Sequence, residues 1–296
     1  MAKLGLGTVH FGMDYGIANT LGQTTPEEVL TILESARSSH IQTLDTAPCY
    51  GGSEAVLGDA LAQLGSHDFR IVTKTPQFGS ARISRAEAEE VERTFERSLA
   101  NLRQSSVDAL LVHDANNLLV PGGEFVFEAM GRLKQEARVG KQGVSVYEPA
   151  QLEALLARYD IDLIQLPLSI LDQRFIESGL LSVLKQKGIE IHARSVFLQG
   201  LLLMPESTIP APLSAVAETR HRLDSFVNET GLSLVQAALC FVNQQPEVDI
   251  VLMGVRTSNE FKKNAADFAS IAGLEFDFSP FSIHDEALVN PSKWEL

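Results

Sequence analysis

Short apolar runs, each followed by a helix-like pattern, recur eight times along this chain in units of about thirty residues, and that alternation leaves very few folds open. The runs predict strands at Lys3–Thr8, Ile41–Leu44, Arg70–Thr73, Val107–Val112, Gln142–Val146, Leu163–Leu166, Ile189–Ser195 and Asp249–Met253. Helices are predicted between them: Thr25 to Ser39 with Pro26 at the first position, Ser53–Leu64, Ser84–Arg103, Gly123–Arg138, Pro149–Tyr159 and Ser178–Lys187. After the seventh strand come a proline-rich connection up to Pro212, helical patterns at Ala215–Thr230 and Ser233–Asn243, the eighth strand, and a last helix at Ser258–Ser270. Eight strand–helix units in about 250 residues predict an α/β fold, the (β/α)8 or TIM barrel. It is read as a single domain over residues 1–296, with a C-terminal tail at 274–296. A doubly wound open sheet is the rival, and nothing in the chain marks a switch point.

The charge balance narrows the partners. With 24 basic and 38 acidic side chains the net charge is −14, which argues against nucleic acid or an anionic membrane as the main partner. No apolar stretch reaches the ~18 residues of a membrane helix. The N-terminus lacks a basic segment followed by an apolar one, so no signal peptide is expected. Two cysteines, Cys49 and Cys240, cannot build a disulfide framework and fit a reducing cytoplasm. Gly5-Leu6-Gly7-Thr8-Val9-His10 begins like a dinucleotide fingerprint, but His10 stands at the third glycine position and no helix pattern starts there. The Rossmann reading fails.

A barrel makes a demand of its own: active-site residues belong at the C-terminal ends of strands. Asp45 closes the second strand, Lys74 the third and His113 the fourth, with Tyr50 five residues beyond Asp45 on the same rim. Each has a plain structural reading: a capped turn, a solvated rim lysine, a hydrogen-bonded histidine, a packed ring. Together they make coherent chemistry. A tyrosine with a pKa of about 10 is a weak proton donor at neutral pH, and a nearby ammonium would lower that value. A carboxylate would hold the ammonium, and a histidine would orient a substrate oxygen. Such a group delivers a proton to an oxygen that gains negative charge, which suits carbonyl reduction by a cofactor-borne hydride.

The stretch Asp45-Thr46-Ala47-Pro48-Cys49-Tyr50-Gly51-Gly52-Ser53-Glu54-Ala55-Val56-Leu57-Gly58 closely resembles the Asp-Thr-Ala-x-x-Tyr-Gly-x-Ser-Glu-x-x-Leu-Gly motif of the aldo-keto reductases. That resemblance implies a barrel binding NADP(H) without a Rossmann domain, and a catalytic tetrad of Asp45, Tyr50, Lys74 and His113. It also implies cofactor contacts from Gly7, Thr8, Ser145, Gln165, Arg194, Ser195, Phe197, Gly200, Gly254, Arg256, Glu260 and Asn264. Ser145 and Gln165 would hold the nicotinamide carboxamide, although Val146 replaces the asparagine of the family's Gly-Val-Ser-Asn segment. Arg256 would pair with the adenosine 2′-phosphate, and Glu260 stands where the family often has glutamine. At Arg194 the family usually has an aromatic ring stacked on the nicotinamide. Three readings of Arg194 are open: it stacks on the nicotinamide, it faces an anionic substrate group, or it forms a salt bridge in the barrel mouth.

The implied activity is reduction of a small-molecule aldehyde or ketone, sugar-derived carbonyls included, with Tyr50 as proton donor. A non-catalytic, cofactor-sensing barrel subunit is the alternative, and a Schiff-base lyase or isomerase using Lys74 is a third. His10 and His192 could line the mouth, but no metal-ligand spacing is present and no metal site is expected. The tail from Phe281, with Trp294, either closes over substrate or packs on the surface.

Overall fold

Eight parallel strands close into a barrel in the computed structural model, which describes residues 2–294. In chain order they are β1 (Lys3–Gly7), β2 (Thr43–Asp45), β3 (Arg70–Lys74), β4 (Val107–Val112), β5 (Val139–Ser145), β6 (Leu163–Pro167), β7 (Glu190–Arg194) and β8 (Ile250–Gly254). Each pairs with its neighbours in sequence, and β1 closes the ring on β8, with Gly7 opposite Gly254. The TIM barrel predicted from the alternation is the fold.

Parity along the strands explains how the barrel is filled. Successive side chains of a strand point to opposite faces. Val72, Ala109, Leu111 and Leu163 form a small apolar cluster of their own, apart from the large core that holds Leu44, Ile71, Leu110 and Val112. Two residues further along each inward row stand Lys74, His113 and Gln165. The same period therefore packs the barrel with small aliphatic groups and delivers polar groups to its C-terminal mouth.

The helices start where local chemistry says they should. Thr25 caps Pro26–Ser38 by accepting from the Glu28 N–H, and Ser84 with Glu87 forms the capping box ahead of Arg85–Leu102. Helix Ser53–Leu64 crosses the Arg85–Leu102 helix closely: a Cβ on Gly58 would stand 2.0 Å from the Asn101 carbonyl oxygen. Only glycine permits that approach.

Several boundaries differ from the sequence reading. The helix read at Ser178–Lys187 is the shorter Leu180–Gln186, and an unpredicted short helix, Arg174–Glu177, precedes it, with Gly179 in the left-handed region between them. β2 ends at Asp45 rather than before it, and β5 begins three residues earlier than predicted, at Val139. A single helical turn at Val9–Gly12 stands where a loop was expected. The stretch 197–212 folds into three short 3-10 turns, kinked at Gln199 and Gly200. The tail first lies on the helix pair Val216–Thr230 and Leu234–Asn243, where Phe276, Phe278 and Phe281 cluster with Phe226 and Phe241, and beyond Phe281 it is held by Glu286 on Arg174 and Lys293 on Glu148. No single helix among the described residues is long and apolar enough to cross a membrane.

Candidate active site

All eight strand ends converge on one cavity or on its walls. It measures about 680 Å³, within the range of small-molecule and cofactor sites. Gly7, Asp45, Ser145, Gln165, Arg194 and Gly254 line it from six strands, joined by Tyr50 and His113 from the loops. Lys74 lies just beneath, almost fully buried.

The Lys74 ammonium is completely used. It donates to Asp45 Oδ1 at 2.8 Å, to Asp45 Oδ2 at 2.9 Å and to the Thr46 carbonyl at 2.8 Å, which accounts for its three N–H groups. Asp45 Oδ2 accepts a further bond from Gln165 Nε2 at 2.8 Å. The Tyr50 ring lies with its face toward the ammonium, 4.9 Å from Nζ to the ring centroid. This corrects one expectation. Lys74 has no donor left for the Tyr50 hydroxyl, and its charge is already matched by Asp45. Burial, followed by the Asp45 charge, raises the Tyr50 pKa well above its ordinary value instead of lowering it, and the cation that opposes this is Arg194.

His113 packs edge-on against Tyr50, with ring centroids 5.8 Å apart, and its Nδ1 faces Cys49 Sγ at 3.4 Å. Burial, and then the Lys74 and Arg194 charges, lower its pKa to about 3, so the ring is neutral at physiological pH. Nε2 has no partner among the described residues. A neutral imidazole with one nitrogen engaged and the other free can hydrogen-bond a ligand oxygen.

The motif around Tyr50 divides into site and anchorage. Ser53 Oγ donates to the Thr8 carbonyl at 2.8 Å and lies 2.9 Å from Thr8 Oγ1, whose hydroxyl also bonds the Asp45 carbonyl. Buried Glu54 accepts from Thr73 Oγ1 at 2.7 Å. These bonds tie the helix start to the ends of β1, β2 and β3 and so fix the loop that carries Tyr50. Gly12 supports the same loop, since a Cβ there would stand 1.9 Å from the Tyr50 carbonyl oxygen.

The other expected cofactor residues divide unevenly. Gly7, Ser145, Gln165, Arg194, Ser195, Phe197, Gly200, Gly254, Arg256 and Glu260 line the cavity. Thr8 and Asn264 are buried and do not, and the Thr8 hydroxyl is spent on anchorage. Gly7 and Gly254, neighbours across the β1–β8 seam, leave the backbone of that wall bare, and the His10 ring lies beside Gly254 with its Nδ1 buried and without a partner among the described residues. That bare wall and unpaired nitrogen, with Ser145 and Gln165 opposite, fit an extended polar cofactor. Glu260 accepts from the Arg256 backbone N–H at 2.9 Å and pairs with its guanidinium at 3.3 Å. Two loops close over this trench: a Cβ on Gly200 would meet Ala18 Cβ at 2.4 Å.

At Arg194 the salt-bridge reading fails, because no carboxylate among the described residues lies within ion-pair distance. The guanidinium stacks on Tyr147, 4.1 Å from the ring centroid, and donates to the Val146 carbonyl at 3.0 Å and to Ser195 Oγ at 3.1 Å. Tyr147 and Tyr15 both line the cavity and were not singled out from the sequence. His192 is not at the mouth; it sits two residues lower in β7, bonded to Glu190 at 2.8 Å. No cluster of three or more metal-ligating residues occurs among the described residues.

The aldo/keto reductase family model matches residues 3–272. The chain belongs to that family. Aldo/keto reductases are oxidoreductases that use nicotinamide cofactors and act on small-molecule carbonyl substrates. L-galactose dehydrogenase of Arabidopsis thaliana is 25% identical over 94% of this chain and 89% of its own length. The 6-dehydroglucose reductase of Agrobacterium fabrum is 26% identical over 90% of this chain and 89% of its own. Among solved structures, the glycerol dehydrogenase of Gluconobacter oxydans superposes with a TM-score of 0.69 at 19% identity, covering 97% of this chain and 92% of that one. At that identity the match speaks for the fold alone.

Proposed function

We propose that this aldo/keto reductase reduces an aldehyde or ketone to the alcohol with NADP(H), Tyr50 being the proton donor. The observation that carries the reading is the Tyr50 side chain on the cavity wall, its ring packed against His113 and over the Lys74 ammonium that Asp45 holds. The nicotinamide cofactor supplies a hydride to the carbonyl carbon. Every other requirement falls to the chain.

Tyr50, with its raised pKa, stays protonated at working pH and so is always ready to donate. An alkoxide is far more basic than a phenolate, so the proton transfers downhill once charge develops on the substrate oxygen. Neutral His113 offers Nε2 to the same oxygen and aligns the carbonyl. The Lys74–Asp45 pair fixes the ring from below and places a compensated charge where a free one would bind water. Ser145 and Gln165 would hold the carboxamide, and Arg256 the adenosine 2′-phosphate after Glu260 yields it. Gln165 is already oriented by Asp45, so carboxamide binding and tetrad geometry are mechanically linked.

A sugar-derived carbonyl is the substrate class we favour, supported by the named activities of the Arabidopsis and Agrobacterium relatives. A reducing, cytoplasmic setting is supported by two cysteines that are both unpaired. Oxidation of NADPH followed at 340 nm with a panel of aldoses, ketoses and simple aldehydes tests the activity. Tyr50→Phe should keep the NADPH dissociation constant within about twofold while turnover drops by roughly two to four orders of magnitude. Retained turnover would remove Tyr50 from the role of acid.

A further inference from the structure

Arg194 carries the uncompensated charge of the cavity. Asp45 is matched by Lys74, Arg256 by Glu260, and His113 is neutral. On a protein of net charge −14, a half-buried guanidinium without a carboxylate among the described residues stands against the general field. Its placement is not loose. The Tyr147 ring lies beneath it, and the Val146 carbonyl and Ser195 hydroxyl take one N–H each. A guanidinium has five N–H groups, so three remain without a partner among the described residues. The Arg194 charge acts on Tyr15, Tyr50 and His113 alike, which places it on the reacting side of the cavity.

We propose that Arg194 is a specificity-determining residue that binds an anionic oxygen group, a carboxylate or a phosphate, carried by the carbonyl substrate itself. The inference rests on the reductase reading for the identity of the reaction but not for the existence of the anion site. Planar guanidinium donors match both groups in bidentate fashion, and stacking on Tyr147 holds the plane at little entropic cost. The Val146 carbonyl completes the device: with a valine side chain buried in the core there, only the backbone oxygen is presented to Arg194. Tyr15, packed edge-on against His10, lines the same cavity within reach of the Arg194 charge.

The test compares matched substrates. D-glucuronate against D-glucose probes a carboxylate, and D-glyceraldehyde 3-phosphate against D-glyceraldehyde probes a phosphate. In at least one pair the wild type should favour the anion in kcat/KM by roughly tenfold or more, the worth of one charge-assisted hydrogen bond. Arg194→Gln should collapse that ratio toward one, and Arg194→Lys should restore part of it. The pair that responds identifies the anion. A ratio near one in the wild type, or a ratio that Arg194→Gln leaves intact, would overturn the proposal. So would an unchanged ratio accompanied by weaker NADPH binding, which would assign the guanidinium to the cofactor. If no carbonyl is turned over at all, the reductase reading fails separately, and titration with oxamate and inorganic phosphate decides the anion site. Binding that Arg194→Gln abolishes would sustain the site; no binding of either would remove it.

Discussion

Replacing Asp45 by asparagine isolates the part of this site where stability and activity are most tightly joined. The carboxylate accepts two bonds from Lys74 and one from Gln165, in a position where Lys74 is 1% exposed. Asparagine keeps the shape and one acceptor oxygen but turns an NH2 group toward the ammonium, leaving a buried charge uncompensated. Breaking a buried pair in this way costs about 3–5 kcal/mol, a large fraction of the ~5–15 kcal/mol that holds a typical domain together. For a chain of 296 residues the melting temperature should fall by roughly 5–8 °C. Urea titration at pH 7 is the direct assay, with Lys74→Met and the double variant measured alongside. Removing both charges strands neither, so Asp45→Asn with Lys74→Met should return to within about 1 kcal/mol of the wild type. Turnover should stay lost in all three, because the Tyr50 ring has lost the pair that positions it. An Asp45→Asn protein within 1 kcal/mol of the wild type, or a double variant less stable than either single one, would show that the pair is not the isolated buried unit described here.

Glu260→Gln should free the Arg256 guanidinium and tighten NADPH binding by roughly three- to tenfold, with NADH little affected; equal effects on both cofactors in a fluorescence titration would place Arg256 away from the 2′-phosphate. The His113 ring titrates at about 3 in the folded chain against about 6.5 when unfolded. The unfolded state therefore binds the extra proton between these values, and stability rises with pH across that window and is lost as pH falls through it. The slope from this one group approaches about 1.4 kcal/mol per pH unit. His113→Asn should flatten the stability profile from pH 4 to 6.5 by that amount, and an unchanged profile in urea titrations would count against a neutral buried ring.

The barrel was legible because each of its units carries local signals: a strand-length apolar run, a cap or proline, a helix of the right period. Where those signals were weak the boundaries moved, as at Gly179, whose left-handed backbone separates the helix Leu180–Gln186 from a short unpredicted helix before it. Asp45, Tyr50, Lys74 and His113 could be read as one set because strand ends in a barrel share a rim. Ser53 and Glu54 belonged to the same motif, yet their work as anchors to Thr8 and Thr73 appeared only once β1, β2 and β3 were assembled. The Tyr15 and Tyr147 contributions had no local sign at all, since both stand on loops after strand ends and acquire meaning from the groups they face.

Sequence alone determined the fold, the rim and the chemical types placed on it, since strand parity and helix caps act over a few residues. Charge compensation is a different kind of property. Which cation meets which carboxylate depends on distances of a few ångströms between residues far apart in the chain, and coulombic and desolvation energies change steeply over that range. Only the tertiary structure could therefore decide that Lys74 is spent on Asp45, that Arg256 is held by Glu260, and that Arg194 faces the cavity with its charge unmatched.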